Sequence, residues 1–372
     1  MLGTQRINLL DILRAHEWMV YTGRYLEVPG VPTRYLAAIF YVVDHEQGYL
    51  ANKEVTLESL FWTTRCLEKS DPLDGTYALL GMLTEQPPPF TVDYTLSLSS
   101  LLIKVSRYWL MQRNDLDMFT LISHRDFHSR NPDVPTWVYR ADLSTDGKVD
   151  PTKLSNVVRR RNCLHRPTML ADEKFGSSAL LLEGLVLDRV TVTASDTGSD
   201  ALTDWLLESL RALNLNTNVP RLSQRLSELA MTIMCATAQS GLEVDQDVVA
   251  ILTRYLRLLL MNPEVNEGGN RAEEQTAAEE AVDRNCRFAY ALHRKLALTA
   301  AGRSVLGSKQ MSPGDKIVVL RGGMAPCLLR AYGQDYRFLG EIYVHGLMKG
   351  DGDEAIKNHL AKGHKEQIFV VR

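Results

Sequence analysis

The stretch that decides the fold reads GDKIVVLRGGMAPCLLRAYGQDYRFLGEIYVHGLMKGD, from Gly314 to Asp351. Runs of β-branched, leucine and aromatic residues alternate in it with turns, at Gly322-Gly323 and Gly333-Gln334-Asp335. This pattern predicts short strands joined by tight turns. The same pattern continues on both sides of the block. It predicts strands over residues 295–299, 316–320, 327–331, 336–339 and 368–371, with one short helix over 353–360. Strands at such spacing favour a small antiparallel barrel or a curled sheet.

The residues upstream of this block alternate between strand and helix patterns. Ser178–Thr193, SALLLEGLVLDRVTVT, predicts a pair of strands or one long bent strand. Residues 199–262 have helical spacing in three segments separated by Asn, Pro and Gly. The polar residues 266–280 are interpreted as a mobile loop or the solvated start of a helix. Pro135–Tyr139 has the composition of a strand.

A second informative stretch, SDPLDGTYALLGMLTEQPPPFTVDY at residues 70–94, lies in a helical front half. Asp71 is expected to cap a helix whose first position is Pro72 and whose end is Gly81. Apolar residues at three- and four-residue spacing predict further helices, over residues 8–27, 34–47, 56–68, 96–112 and 116–123.

Together these patterns predict an α+β fold with a helical N-terminal half, central strands, a helical insertion and a small antiparallel β-barrel-like C-terminal part. The expected regions are residues 1–140, helical; 141–200, loop and central strands; 201–285, the helical insertion; and 286–372, the β-rich C-terminal region.

The composition is that of an ordinary globular protein and excludes several classes of function. A net charge of −3 over 372 residues argues against a nucleic-acid surface, and Arg159–Arg161 is typical of a solvated face. The N-terminus has no secretory pattern, and the apolar run Tyr35–Val43 is too short to cross a bilayer. A cytoplasmic protein without a membrane span is therefore expected, and its oligomeric state is left open.

Cofactor and metal motifs are missing from the sequence. The five cysteines are scattered, without a CxxC pair or a Cys/His cluster at metal-binding spacing. No P-loop, HExxH, GxSxG or dinucleotide-binding glycine pattern occurs. We therefore expect neither a bound metal nor a cofactor.

Several blocks nevertheless resemble one family, the fungal heterokaryon-incompatibility (HET-domain) proteins. Residues 70–82, SDPLDGTYALLGM, resemble its "SDPRDKIYALLGL" element, and Val92-Asp93-Tyr94 and Pro135-Thr136-Trp137-Val138 resemble the elements that follow. The C-terminal block is the more specific of the matches. Its matching residues include Gly314-Asp315, Leu329-Arg330, Gly340-Glu341 and Tyr343-Val344-His345-Gly346.

Departures from the family pattern bear on function. The Tyr-x-x-Leu-Ser-Tyr-x-Trp-Gly-like and Trp-Ile-Asp-x-x-Cys-Ile-Asn-Gln-like motifs of the HET domain proper do not occur, and Leu73 and Gly75 replace the usual Arg and Lys. The resemblance therefore implies an N-terminally truncated relative that lacks the segment associated with cell-death signalling.

The resemblance also extends to HET-like proteins that act as norbornene-forming Diels–Alder cyclases in fungal terpenoid pathways. It implies a cofactor-independent cyclase, whose partner is a small apolar terpenoid intermediate held in a reactive fold. The alternative is a non-enzymatic HET-family allorecognition or interaction protein. An NAD-cleaving effector is a third interpretation, and the missing motifs count against it.

Aromatic and donor residues supply the candidate site for a cyclase. The candidate catalytic residues are His124, Arg107 and Tyr108, which would donate hydrogen bonds or bind a carboxylate. The candidate substrate-binding residues are Trp62, Trp109, Trp137, Tyr139, His128 and Tyr343. Such aromatic residues more often form a hydrophobic core. A solvated helix end is the commoner role for the two histidines, and a part in the fold is the commoner role for Tyr343.

Overall fold

The computed structural model describes residues 56–64, 69–81, 83, 91–113, 115–122, 134–141, 178–194, 202–215, 221–234, 246–261, 273–278, 280, 294–323, 325–348 and 350–372. The predicted helices over 8–27 and 34–47 lie outside these residues. The chain divides into two compact units. One contains Met1–Leu101 and Arg140–Lys148, and the other contains Leu102–Tyr139 and Val149–Arg372.

The first unit contains helices α1 (Leu57–Thr64) and α2 (Asp74–Leu80). The predicted capping of α2 by Asp71 is wrong, because the residue at the N-cap position is Leu73. The Asp71 carboxylate instead accepts a hydrogen bond from the backbone N–H of Leu73 (2.9 Å), which makes a local turn before the helix. The predicted end is confirmed, since Gly81 follows the last helical residue.

Helix α3 (Leu98–Arg113) is followed by a 3₁₀-helix at Asp117–Leu121. The buried stripe of α3 contains Leu102, Val105 and Trp109, at the three- and four-residue spacing that predicted the helix. The predicted strand at Pro135–Tyr139 is wrong, because this segment forms a turn in which the Val138 N–H donates to the Pro135 carbonyl (3.2 Å). Its apolar composition therefore reflects burial of a turn.

One long strand, β1 (Leu180–Thr193), organises the sheet of the second unit. Of the two predicted alternatives, one long strand is therefore confirmed and a pair of strands is not. β1 pairs antiparallel with three others: β8 (Gln367–Val371), β4 (Lys316–Leu320) and β2 (Arg294–Thr299). Register shifts at Val186/Asp188 and Val190/Val192 allow one strand to serve these successive partners.

The remaining strands are β3 (Ser304–Ser308), β5 (Cys327–Tyr332), β6 (Asp335–Glu341) and β7 (Tyr343–Val344). Strands β1, β4, β5, β6 and β8 pair in a ring. The β6–β8 pairing is parallel and consists of Tyr336 opposite Val371. The ring is therefore barrel-like and is joined at that point by one narrow contact. β2, β3 and β7 extend the sheet from β1.

Helices cover the extended part of the sheet. These are α4 (Leu202–Ala212), α5 (Leu222–Ile233) and α6 (Gln246–Met261), in the region that the sequence predicts as three helical segments. Their buried residues form one core with Leu296, Leu306 and Tyr343 of β2, β3 and β7. A second core lies against the barrel-like strands and includes Leu185, Ile317, Leu328 and Ile342.

Helix α7 (Gly350–Ala361) precedes β8 and contributes Ile356 to the core of the barrel-like strands. The observed helices and mixed sheet confirm the predicted α+β class. Within the described residues, no helix combines the length and apolarity needed to cross a bilayer.

Candidate functional site

Arg107 and Trp137 form the first part of the predicted site that the structure brings together. The Arg107 guanidinium carbon lies 5.5 Å from the centre of the Trp137 ring, a distance that allows a cation–π interaction. Both side chains also donate to the backbone that leads into β1. Arg107 Nη2 lies 2.6 Å from the Ala179 carbonyl oxygen, and Trp137 Nε1 lies 3.0 Å from that of Ser178. Burial lowers the pKa of Arg107.

Trp109 and Tyr139 form the second part of this arrangement. Their rings meet edge to face, with centres 5.9 Å apart and planes at 77°. The Tyr139 N–H donates to the hydroxyl of Ser106 on α3 at 3.0 Å. We call Arg107, Trp109, Trp137 and Tyr139 the aromatic cluster. The exposed fraction of its three aromatic side chains runs from 0% for Trp137 to 7% for Tyr139.

Of the other predicted site residues, Tyr343 lies in a different part of the fold. Tyr343 is 2% exposed and packs with α4–α6 in a separate core. Tyr108 follows Arg107 on α3 and is half-buried. Trp62 lies on α1 in the first unit, and its side chain is not among those described. His124 and His128 lie outside the described residues.

A buried carboxyl group that the sequence pattern did not single out lies on β6. Glu341 is 6% exposed, and its pKa is raised to about 8. Burial is the largest cause, the charge of Asp117 raises the pKa further, and Arg294 lowers it. The side chain is therefore largely protonated at neutral pH and can donate a hydrogen bond. The signal in the sequence was a single acidic residue within the apolar run LGEIYV.

Cys327 pairs with Glu341 across strands β5 and β6. Burial, assisted by the nearby carboxyl of Glu341, raises the pKa of the Cys327 thiol well above its ordinary value. The thiol lies 3.4 Å from the Val318 carbonyl oxygen, as expected for a weak donor. Because the thiolate is the nucleophilic form, this cysteine is held unreactive.

Residues of the C-terminal sequence block mostly build the scaffold. The Arg330 guanidinium binds both carboxylate oxygens of buried Asp315, with N–O distances of 2.8 Å. This hydrogen bonding raises the pKa of Arg330. The Ser312 N–H also donates to Asp315, at 2.8 Å. Gly314 and Gly340 have φ values of +96° and +108°, which other residues adopt at a cost.

Comparison with known families agrees with this scaffold. Residues 274–361 match the family model described as the Het-6 beta-barrel domain. The match supports a HET-family relationship. It begins before β2, ends with α7 and contains the whole of the block Gly314–Asp351. No curated protein and no solved structure matches the chain.

Proposed function

We propose that this HET-related chain is a non-enzymatic protein that acts in recognition between fungal cells by binding a partner. One observation carries this proposal: two of the side chains expected to orient a substrate, those of Arg107 and Trp137, are engaged within the fold. Arg107 and Trp137 donate to the carbonyls of Ala179 and Ser178. A substrate would have to compete with these bonds in a buried setting, where an unpaired carbonyl is costly.

The roles of the matched residues support the same proposal. The Asp315–Arg330 pair and the two glycines with positive φ stabilise turns and strands. Tyr343 fills the core beneath α4–α6. A stable scaffold is what a recognition module requires, since its specificity lies in surface residues carried on that scaffold.

A turnover measurement tests this proposal. Purified chain is incubated with a linear terpenoid that carries a conjugated diene and, as the dienophile, an alkene conjugated to an aldehyde. The rate of cyclisation and the stereochemical ratio are expected to equal those in buffer. A faster reaction with one dominant stereoisomer would overturn the proposal and favour an enzyme.

A cyclase is the second candidate function, and Glu341 is the observation that favours it. A carboxyl group that is protonated at neutral pH can donate to a dienophile carbonyl, where negative charge develops in the transition state. In the intramolecular cycloaddition, three π bonds become two carbon–carbon σ bonds and one π bond. No proton or electron is transferred. The chain would supply the folded conformation of the substrate and one donor.

Variants of Glu341 test this second candidate. Glu341→Gln keeps a neutral donor and is expected to retain most of the rate, whereas Glu341→Ala is expected to lose about tenfold or more. The rate of the unsubstituted chain is expected to fall as the pH rises through about 8, where Glu341 ionises. Equal rates for Glu341→Ala and the unsubstituted chain, at every pH, would remove Glu341 from the mechanism.

A further inference from the structure

Two histidines meet where helix α7 ends. The Gly363 N–H donates to the Leu360 carbonyl (3.0 Å), and the His364 N–H donates to the His359 carbonyl (3.1 Å). With Gly363 at a φ of +86°, these are the two backbone bonds of a Schellman motif. This motif commonly brings together the side chains at its first and last positions, which here are His359 and His364. The backbone therefore holds the two imidazoles side by side.

The ring geometry fits two ligands of one metal ion. The ring centres lie 5.2 Å apart, and the planes are inclined at 41°. An imidazole nitrogen about 2.1 Å from Zn²⁺ puts its ring centre about 3.2 Å from the ion, so two rings at a tetrahedral angle have centres about 5.2 Å apart. Rings in a parallel stack would have planes inclined at about 0° rather than 41°.

The tautomer of His359 also suits metal binding. Its Nδ1 lies 2.9 Å from the carbonyl oxygen of Ala355, one turn earlier on α7. A carbonyl only accepts, so the proton of the neutral ring lies on Nδ1 and the lone pair lies on Nε2. A backbone carbonyl in this position is the usual outer partner of a metal-binding histidine. His364 is exposed, so its ring is accessible to a metal ion.

We propose that His359 and His364 form a surface site for a late first-row divalent cation such as Zn²⁺, with water completing the coordination. Imidazole is a preferred ligand of these metals. The exposed side chains of Lys362 and Lys365 lie in the same segment and oppose a cation, so the site is weak. The sequence did not indicate it, because a spacing of five residues belongs to no helical metal motif.

A bound ion would tie the last turn of α7 to the segment that enters β8. Because β8 pairs with β1 over Leu180–Gly184, this tie would stabilise one side of the barrel-like ring. Binding to the folded state alone raises its stability as the ligand concentration increases. The consequence is a melting temperature that rises with added Zn²⁺.

Calorimetric titration of the full chain with ZnCl₂ tests the site, with melting temperatures recorded over the same concentrations. His359→Gln and His364→Gln are each expected to lose one binding event, or to weaken it at least about tenfold. Each variant should also lose the corresponding rise in melting temperature. Lys365→Gln is the matched control, since it removes a charge from the same turn and keeps both imidazoles. It is expected to bind at least as tightly as the unsubstituted chain.

Histidines elsewhere in the chain can also bind Zn²⁺, so the difference between variants decides the result. Equal stoichiometry and affinity in the unsubstituted chain and in His364→Gln would overturn the proposal. So would the lack of any binding up to about 1 mM Zn²⁺. Loss of one Zn²⁺-binding event in each histidine variant would establish the site, provided that circular dichroism shows each variant to be folded.

Discussion

At the scale of single residues, Glu341 is the least expected feature of the chain. A carboxyl group on a strand of a barrel-like sheet is ordinarily exposed and ionised, yet this one is buried beside Asp117 and Arg294. Its pKa in the folded state, about 8, lies above the ordinary value of 4.5. The folded state therefore holds a proton that the unfolded state releases, and stability falls as the pH rises between these two values.

Glu341→Gln is expected to remove this pH dependence. The variant should be more stable than the unsubstituted chain at pH 9, by on the order of 1–4 kcal/mol, and nearly equal to it below the ordinary carboxyl pKa. Urea unfolding at pH 4 and at pH 9 measures the difference. Glu366→Gln serves as the control, because that carboxylate is ion-paired with Arg321 and only partly buried. An identical loss of stability with pH in Glu341→Gln and the unsubstituted chain would contradict the assignment.

Asp315 and Arg330 provide a second prediction at this scale. Asp315→Asn disrupts a bidentate ion pair and leaves the Arg330 guanidinium without its carboxylate partner. We therefore expect a loss of about 1–3 kcal/mol in unfolding free energy. Arg330 is partly exposed, which keeps the expected loss below that of a fully buried pair. Arg321→Gln, which removes two partly exposed ion pairs, with Glu183 and Glu366, should cost about 1 kcal/mol or less. Equal losses in the two variants would be inconsistent with this account.

At the scale of elements, two strand glycines explain how the sheet packs. Gly184 pairs with both β8 and β4, at the point where β1 passes from one partner to the next. A Cβ there would lie 2.5 Å from the Val319 carbonyl oxygen, a backbone atom that cannot move away cheaply. Gly307 on β3 lies instead against side chains, and its Cβ would lie 2.8 Å from Cγ2 of Ile342.

Alanine substitutions should separate these two glycines. Gly307→Ala is expected to cost about 1–3 kcal/mol, because the neighbouring side chains can repack. Gly184→Ala should cost more, since it forces β1 and β4 apart, and it is expected to lower the melting temperature further. Differential scanning calorimetry of both variants shows which of them has the lower melting temperature. A larger loss of stability in Gly307→Ala than in Gly184→Ala would contradict the observed strand contacts.

The sequence predicted the long elements because their local patterns agree with their environments. The helices of residues 202–261 have a regular apolar stripe, and β1, β4 and β5 are rich in apolar and β-branched residues. β3 was not predicted because Gly307 interrupts the run SVLGS. A glycine is present there because a side chain would collide with Ile342. The turn at Pro135–Tyr139 was misassigned as a strand, because burial and strand formation select the same apolar residues.

The candidate site was only partly predictable, for a related reason. The sequence pointed to aromatic residues, and the structure pairs Arg107 with Trp137 and Trp109 with Tyr139 through ring contacts. Sequence patterns do not reveal whether a donor is already bonded to a backbone carbonyl, as Arg107 and Trp137 are. Nor do they reveal that Glu341 is buried, or that a helix end brings His359 and His364 together. These features depend on contacts between segments that are distant in the sequence, or on the conformation of a helix end.

At the scale of the whole molecule, the chain combines a barrel-like sheet, part of which matches the Het-6 beta-barrel model, with helices that cover the extension of the sheet. The proposed recognition function predicts an effect in cells and no turnover of a substrate. Asp315→Ala, which removes the buried carboxylate of the scaffold, provides a control in which the fold is weakened.

The most direct measurement is the viability of fused cells when one of two compatible fungal strains expresses this chain. We expect lower viability than in fusions of the parent strains, and recovery of viability with Asp315→Ala. Unchanged viability with the folded, expressed chain would contradict the proposed role in recognition.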